Sequence, residues 1–146
     1  MMKNPPNPPG RKLYTSELDI DEDHIDAFVD WYAFRHAPDI YQIGFDRCTC
    51  YRGVAGDMTI LDLYEIGSVD IFDTPQYRSV AQPDPDSAEI LARRRNKAHT
   101  VYSQVFVAPE PVDARPRLNA DWISVERFDF AAPGEERLLD YFASGE

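Results

Sequence analysis

Cysteine is nearly absent: Cys48 and Cys50 are the only two in 146 residues. On a strand they share a face, and a bridge between residues two apart would be badly strained. The pair fits a reducing, cytoplasmic setting. Long apolar runs are missing as well. No stretch approaches the roughly 20 residues of a transmembrane helix. The start, MMKNPPNPPG, has no apolar segment of the secretory kind. Basic residues are the minority, 15 Lys and Arg against 26 Asp and Glu, so the net charge is −11. That balance argues against a nucleic-acid backbone or an anionic membrane as the main partner. No glycine-rich phosphate loop occurs, because residues 53–56 (GVAG) lack the Lys and the following helix. Cys48-Thr-Cys50 lacks zinc spacing and has no second Cys pair. Asp19-x-Asp21-x-Asp23 opens like a calcium loop, but position six is His24 and position twelve is Asp30. A capped helix start accounts for it better.

What is present is one domain's length of ordinary globular sequence, 43% apolar and 12% aromatic. Its organising stretch is residues 21–41, DEDHIDAFVDWYAFRHAPDIY. Ile25, Phe28, Val29, Tyr32, Ala33 and His36 recur at the spacing of one buried helical face. Asp21, Glu22 and Asp23 suit the positive end of the helix dipole. Pro38 disfavours helical geometry at Ala37, so the helix is expected to end near His36. Ala27, Trp31 and Phe34 form a second apolar row, which implies a cover on a second side.

Residues 1–11, rich in Pro and Asn, read as a disordered tail. Residues 13–20 (LYTSELDI) alternate as a strand does, with Tyr14, Ser16, Leu18 and Ile20 on one face. Residues 45–52 and 58–66 flank a Gly-containing turn and read as a hairpin. A second helical region starts at Ser68 and is primed again at Thr74-Pro75, a cap followed by proline. Asp84 or Asp86 then caps a helix expected over 87–98, with Arg93, Arg94, Arg95 and Lys97 at its end. Residues 99–107 are a further strand. The order β-α-β-β-α-β is the ferredoxin-like split βαβ, an α+β fold with an antiparallel sheet. Helices cover one face of such a sheet, and a second copy commonly covers the other, which implies a homodimer. The domain thus spans residues 12–108. Residues 109–146 read as a C-terminal extension, with a strand over 120–130 and a helix over 134–143. It would pack on the domain or on its partner.

Two segments carry a family resemblance. WYAFRHAPDIYQIGF matches a WY-x-x-x-H-x-P-x-[LI]…G-F pattern, and LDLYEIGSVDIFDTPQYRS matches L-x-LYE-[LI]-x-S…-[ST]-P-x-YR. Both resemble EthD-like members of the dimeric α/β-barrel superfamily, over about residues 12–107. The resemblance implies a ferredoxin-like protomer whose sheet pairs across a two-fold axis, with pockets between sheet and helices. The wider superfamily includes cofactor-free cyclases, isomerases, dehydratases and monooxygenases, and haem-using branches. The extension at 109–146 departs from the compact pattern.

His36 matches the His of the H-x-P segment and is the first candidate for chemistry. An imidazole exchanges protons near neutral pH, as enolisation, aldol cyclisation or elimination requires. Its plainer role is a cation at a helix end or a core His bonded to a carbonyl. Asp62 shares a strand face with Ile60 and Tyr64. A carboxylate there is costly unless paired, and its pKa can rise into the working range of a general acid or base. An ion pair with Arg47 or Arg52 is the structural alternative. Tyr14, Tyr32, Tyr64 and Tyr102 are candidate phenol donors to a carbonyl oxygen. Phe28 and Trp31 are candidate pocket walls, and Gln104 a candidate ligand contact. The Arg93–Arg95 run reads as a solvated helix end. His36 or His99 could serve haem, but nothing in the sequence selects haem or a metal. The expectation is a small cofactor-independent lyase, isomerase or cyclase acting on an apolar or aromatic carbonyl compound. The alternatives are a non-catalytic small-ligand binder and a cofactor-free or haem-dependent oxygenase.

Overall fold

The computed structural model describes residues 12–103 and 121–127. The chain divides into two units, Met1–Gln104 and Val105–Glu146, and the fold below is that of the first. It runs β1 (Lys12–Asp19), α1 (Ile25–Trp31), a π turn (Tyr32–His36), α2 (Ala37–Gln42), β2 (Arg47–Arg52) and β3 (Ile60–Ile66). Then come α3 (Pro75–Val80), α4 (Pro85–Ala92) and β4 (Arg95–Ser103). Short 3₁₀ turns at Glu22–His24 and Val69–Asp73 lead into α1 and α3.

The sheet order is β2-β3-β1-β4, with every neighbouring pair antiparallel. β3, from the hairpin, lies between β1 and β2, which is the split βαβ arrangement. The period-2 alternation sets the faces. Leu18, Ile60, Tyr64 and Ile66 point to the helices and join Ile25, Phe28, Tyr32, Ile40 and Phe45 in the core. Each such apolar side chain contributes about 1.5–3 kcal/mol on leaving water. Thr15, Glu17, Leu63 and Glu65 point the other way. They are only 4, 3, 6 and 8% exposed.

The first helix does not stop at His36. Pro38 brings no N–H and its ring would crowd the carbonyl one turn back. The chain passes it by widening the preceding turn: Ala37 N–H donates to the Tyr32 carbonyl, an i to i+5 bond. Helical geometry then continues to Gln42. Of the expected second apolar row, Trp31 is half-buried, whereas Ala27 is exposed and Phe34 is 82% exposed.

The second boundary to differ is that of α4. It starts as expected, with Asp84 accepting from the N–H groups of Asp86 and Ser87. It ends at Ala92 rather than near residue 98, because pairing with β1 claims the residues from Arg95 onward. A register shift opposite 17–19 is taken up at Asn96, whose φ is +48°, a conformation that Asn tolerates better than most residues. Asn96 Nδ2 donates to Asp19 Oδ2 at 2.7 Å and fixes the bulge.

The strand expected over 120–130 is not seen where it is described. Residues 121–127 are irregular, since alternation makes a strand only where a neighbour supplies a ladder. The tail at 1–11, the linker, the helix expected over 134–143 and Gln104 lie outside the described residues. Among the described residues no helix is long and apolar enough to cross a membrane.

Candidate functional site

Strand register lays out two rows of side chains on the helix-covered face. One row is Cys50, Asp62, Ser16 and His99, read across β2, β3, β1 and β4. The next is Cys48, Tyr64, Tyr14 and Val101. Between these rows and the helices lies a cavity of about 670 Å³, a size that suits one small organic ligand. Phe28, Trp31, His36 and Ile40 wall one side, and residues 79–84 with Ser87 and Leu91 wall another.

The π turn positions His36. Its ring stacks on Trp31, centroids 4.9 Å apart at 22°, and its Nε2 lies 3.2 Å from Tyr64 Oη. Trp31 is held in turn by Nε1–H donating to Ser87 Oγ at 2.9 Å. Ser87 donates to Asp84 Oδ2 at 3.0 Å, and Arg35 reaches the same oxygen at 3.1 Å. The helix pair and α4 are therefore joined across the cavity wall by polar contacts. Burial, and then the charge of Arg94, lower the His36 pKa to about 4. At neutral pH the ring is uncharged.

Asp62 is 3% exposed, and its Oδ1 has no hydrogen-bond partner. Burial raises its pKa to about 7, against the opposing influences of the Cys50 thiol and Arg94. The ion pair with Arg52 does not form, since that guanidinium binds Glu22. Tyr14 and Tyr64 stack at 5.3 Å. Burial pushes both phenols well above their ordinary pKa, so they keep their protons. Tyr14 Oη lies 3.0 Å from Nδ1 of His99. Burial and the charges of Arg94 and Lys97 lower the His99 pKa.

The structure thus brings together His36, Asp62, Tyr14, Phe28, Trp31 and Tyr64 at one cavity. Tyr32 packs behind it against His36 and Tyr64, with its hydroxyl buried and unpartnered among the described residues. Tyr102 is not part of the cavity. It pairs with Leu13, so the pleat turns it to the opposite face from Tyr14.

Among the polar cavity residues, Ser16 and Arg94 were not expected ones, and His99 was considered only for haem. Ser16 and His99 follow from strand register, which a single sequence does not state. Arg94 belongs to the run read as a solvated helix end, but its side chain lines the cavity. Its flanking residues do face outward: Arg93 binds Glu89 and Arg95 binds Asp21, each at 2.7 Å. Among the described residues, no three or more His, Cys, Asp or Glu side chains gather as a metal site would require.

No family model and no curated protein matches the chain. Solved structures do. A variant of SnoaB, a cofactor-independent oxygenase from Streptomyces nogalater, is 20% identical with a TM-score of 0.51, covering 68% of this chain and 98% of its own. A dimeric ferredoxin-like protein from an uncultured marine organism is 11% identical with a TM-score of 0.52, covering 67% and 92%. An EthD family protein from Bacillus halodurans is 13% identical with a TM-score of 0.49, covering 64% and 98%. By fold, the chain is a ferredoxin-like α+β protein, similar in architecture to the marine protein.

Proposed function

We propose that the protein is a small cofactor-independent enzyme that moves a proton on an apolar or aromatic carbonyl compound, with a lyase, isomerase or cyclase outcome. The observation that carries this reading is Asp62: a buried carboxyl group at the cavity floor, one oxygen unpartnered, with its pKa near 7. A group poised there is half ionised at working pH and can take a proton from carbon or oxygen. The carbonyl oxygen of the substrate would be met by the protonated hydroxyls of Tyr14 and Tyr64. His36, neutral and held between Trp31 and Tyr64, would set the Tyr64 hydroxyl and accept a proton only in passing. Phe28, Trp31 and Phe45 supply the apolar wall.

The test needs no knowledge of the natural substrate. Aromatic ketones and 1,3-dicarbonyl compounds are incubated with the protein in D₂O, and exchange at the carbon beside the carbonyl is followed by NMR. Exchange is expected to rise with pH through about 7, as Asp62 loses its proton. Asp62→Asn should cost about 10²–10⁴-fold in rate, and His36→Ala should also lower it. Binding without exchange, unchanged in both variants, would leave a small-ligand carrier instead. SnoaB, of like fold, is an oxygenase. An oxygenase reading of this chain would begin with the same deprotonation, and oxygen uptake during turnover distinguishes it. A homodimer in the cytoplasm completes the proposal; dimeric assembly is what the marine protein of like fold is described by.

A further inference from the structure

We infer that the molecule bound in this cavity carries a single carboxylate, held by the guanidinium of Arg94. The inference rests on the reading that the cavity is where the reacting molecule sits, and it adds the class of that molecule.

Arg94 is a cation with no carboxylate in direct contact among the described residues. It follows the last turn of α4 and precedes β4, between two arginines that are both paired with carboxylates on the outside. Its Nε–H donates to the Leu91 carbonyl at 3.0 Å, which holds the side chain in place. The two terminal nitrogens have no carboxylate partner among the described residues. The other arginine of the lining, Arg35, is already committed to Asp84 and Asp39. Arg94 is half-buried with no carboxylate in direct contact among the described residues, and partial removal of a charge from water is costly. A ligand that supplied a carboxylate would recover that cost.

Arg94 and Asp62 line the same cavity. The charge of Arg94 also reaches Asp62, Tyr64 and Tyr14. An anionic group on Arg94 would therefore anchor one end of a ligand whose ring lies on Phe28 and Trp31, leaving a carbon near Asp62.

The charge must be small and its shape planar. Asp39, Asp62 and Asp84 also line the cavity, so a dianion such as a phosphate ester would meet more repulsion than one arginine offsets. A carboxylate matches the two parallel N–H groups of a guanidinium.

The test is calorimetric titration of the full chain with three bicyclic probes of one size: 2-naphthoate, 2-naphthamide and 2-naphthol. The inference expects naphthoate to bind at least about tenfold more tightly than the amide or the naphthol. Arg94→Gln should bring naphthoate down to the amide's affinity and leave the amide unchanged, and Arg94→Lys should restore part of the difference. Equal binding of naphthoate and amide by the unmodified protein, which needs no variant to fold, would overturn it. So would Arg94-dependent binding that favours the naphthol. Loss of exchange chemistry in D₂O with the naphthoate preference intact would remove the proton-transfer reading and keep the carboxylate site.

Discussion

Asp62 and His36 pull the pH dependence of stability in opposite directions. For Asp62 the folded pKa of about 7 lies above the ordinary 3.8. The stability linked to its proton is present below pH 3.8 and is lost as the pH rises through 7. Asp62→Asn removes this loss, so the variant should gain on the order of 1–3 kcal/mol relative to the parent between pH 5 and 8, read by urea denaturation at each pH. For His36 the folded pKa of about 4 lies below the ordinary 6.5. Its contribution is present above pH 6.5 and is lost as the pH falls to 4. His36→Gln should flatten that acid limb. The two thiols give a third residue-scale expectation. Burial raises the Cys48 pKa to about 12 and raises that of Cys50 further. Neither should react with iodoacetamide at pH 8 until the protein is unfolded, as mass spectrometry would record. Asp62 was legible as an oddity because a carboxylate between Ile60 and Tyr64 breaks the apolar alternation. Arg94 was not, because nothing in a basic run says which of three arginines turns inward.

At the scale of elements, capping and proline signals mark starts better than ends. Thr74 caps α3 by accepting from Tyr77 N–H at 3.2 Å. Thr74→Ala should cost about 1 kcal/mol, measured by thermal or denaturant unfolding. The bond from Trp31 to Ser87 ties α1 to α4. Trp31→Phe should cost about 1 kcal/mol of stability and weaken ligand binding through the loosened His36 stack, visible as a change in the His36 NMR signals. The end of the first helix shows why endings are harder. Pro38 forbids a regular α-turn, but a π turn satisfies the same constraint by adding one residue. Local rules permit both a stop and a bulge. Burial of Ala37 and Ile40 on the core side favours continuing.

For the whole molecule, the sheet order follows from the sequence of elements once the hairpin at 47–66 is recognised, since few topologies remain. The assembly is a separate question. A homodimer predicts twice the 16.7 kDa chain mass in sedimentation equilibrium at micromolar concentration. A single-chain mass would remove the homodimer from the proposal.

Periodicity, caps and turn residues are local properties, and they sufficed for the α+β class, the order of elements and the inward face of β1 and β3. Cavity membership is a non-local property. Ser16, Asp62 and His99 share one row only because three strands far apart in the chain meet in register. The same pairing draws residues 95–98 out of the helix and into β4. That moves the end of α4 back to Ala92, where Arg94 can reach the cavity that its neighbours turn away from.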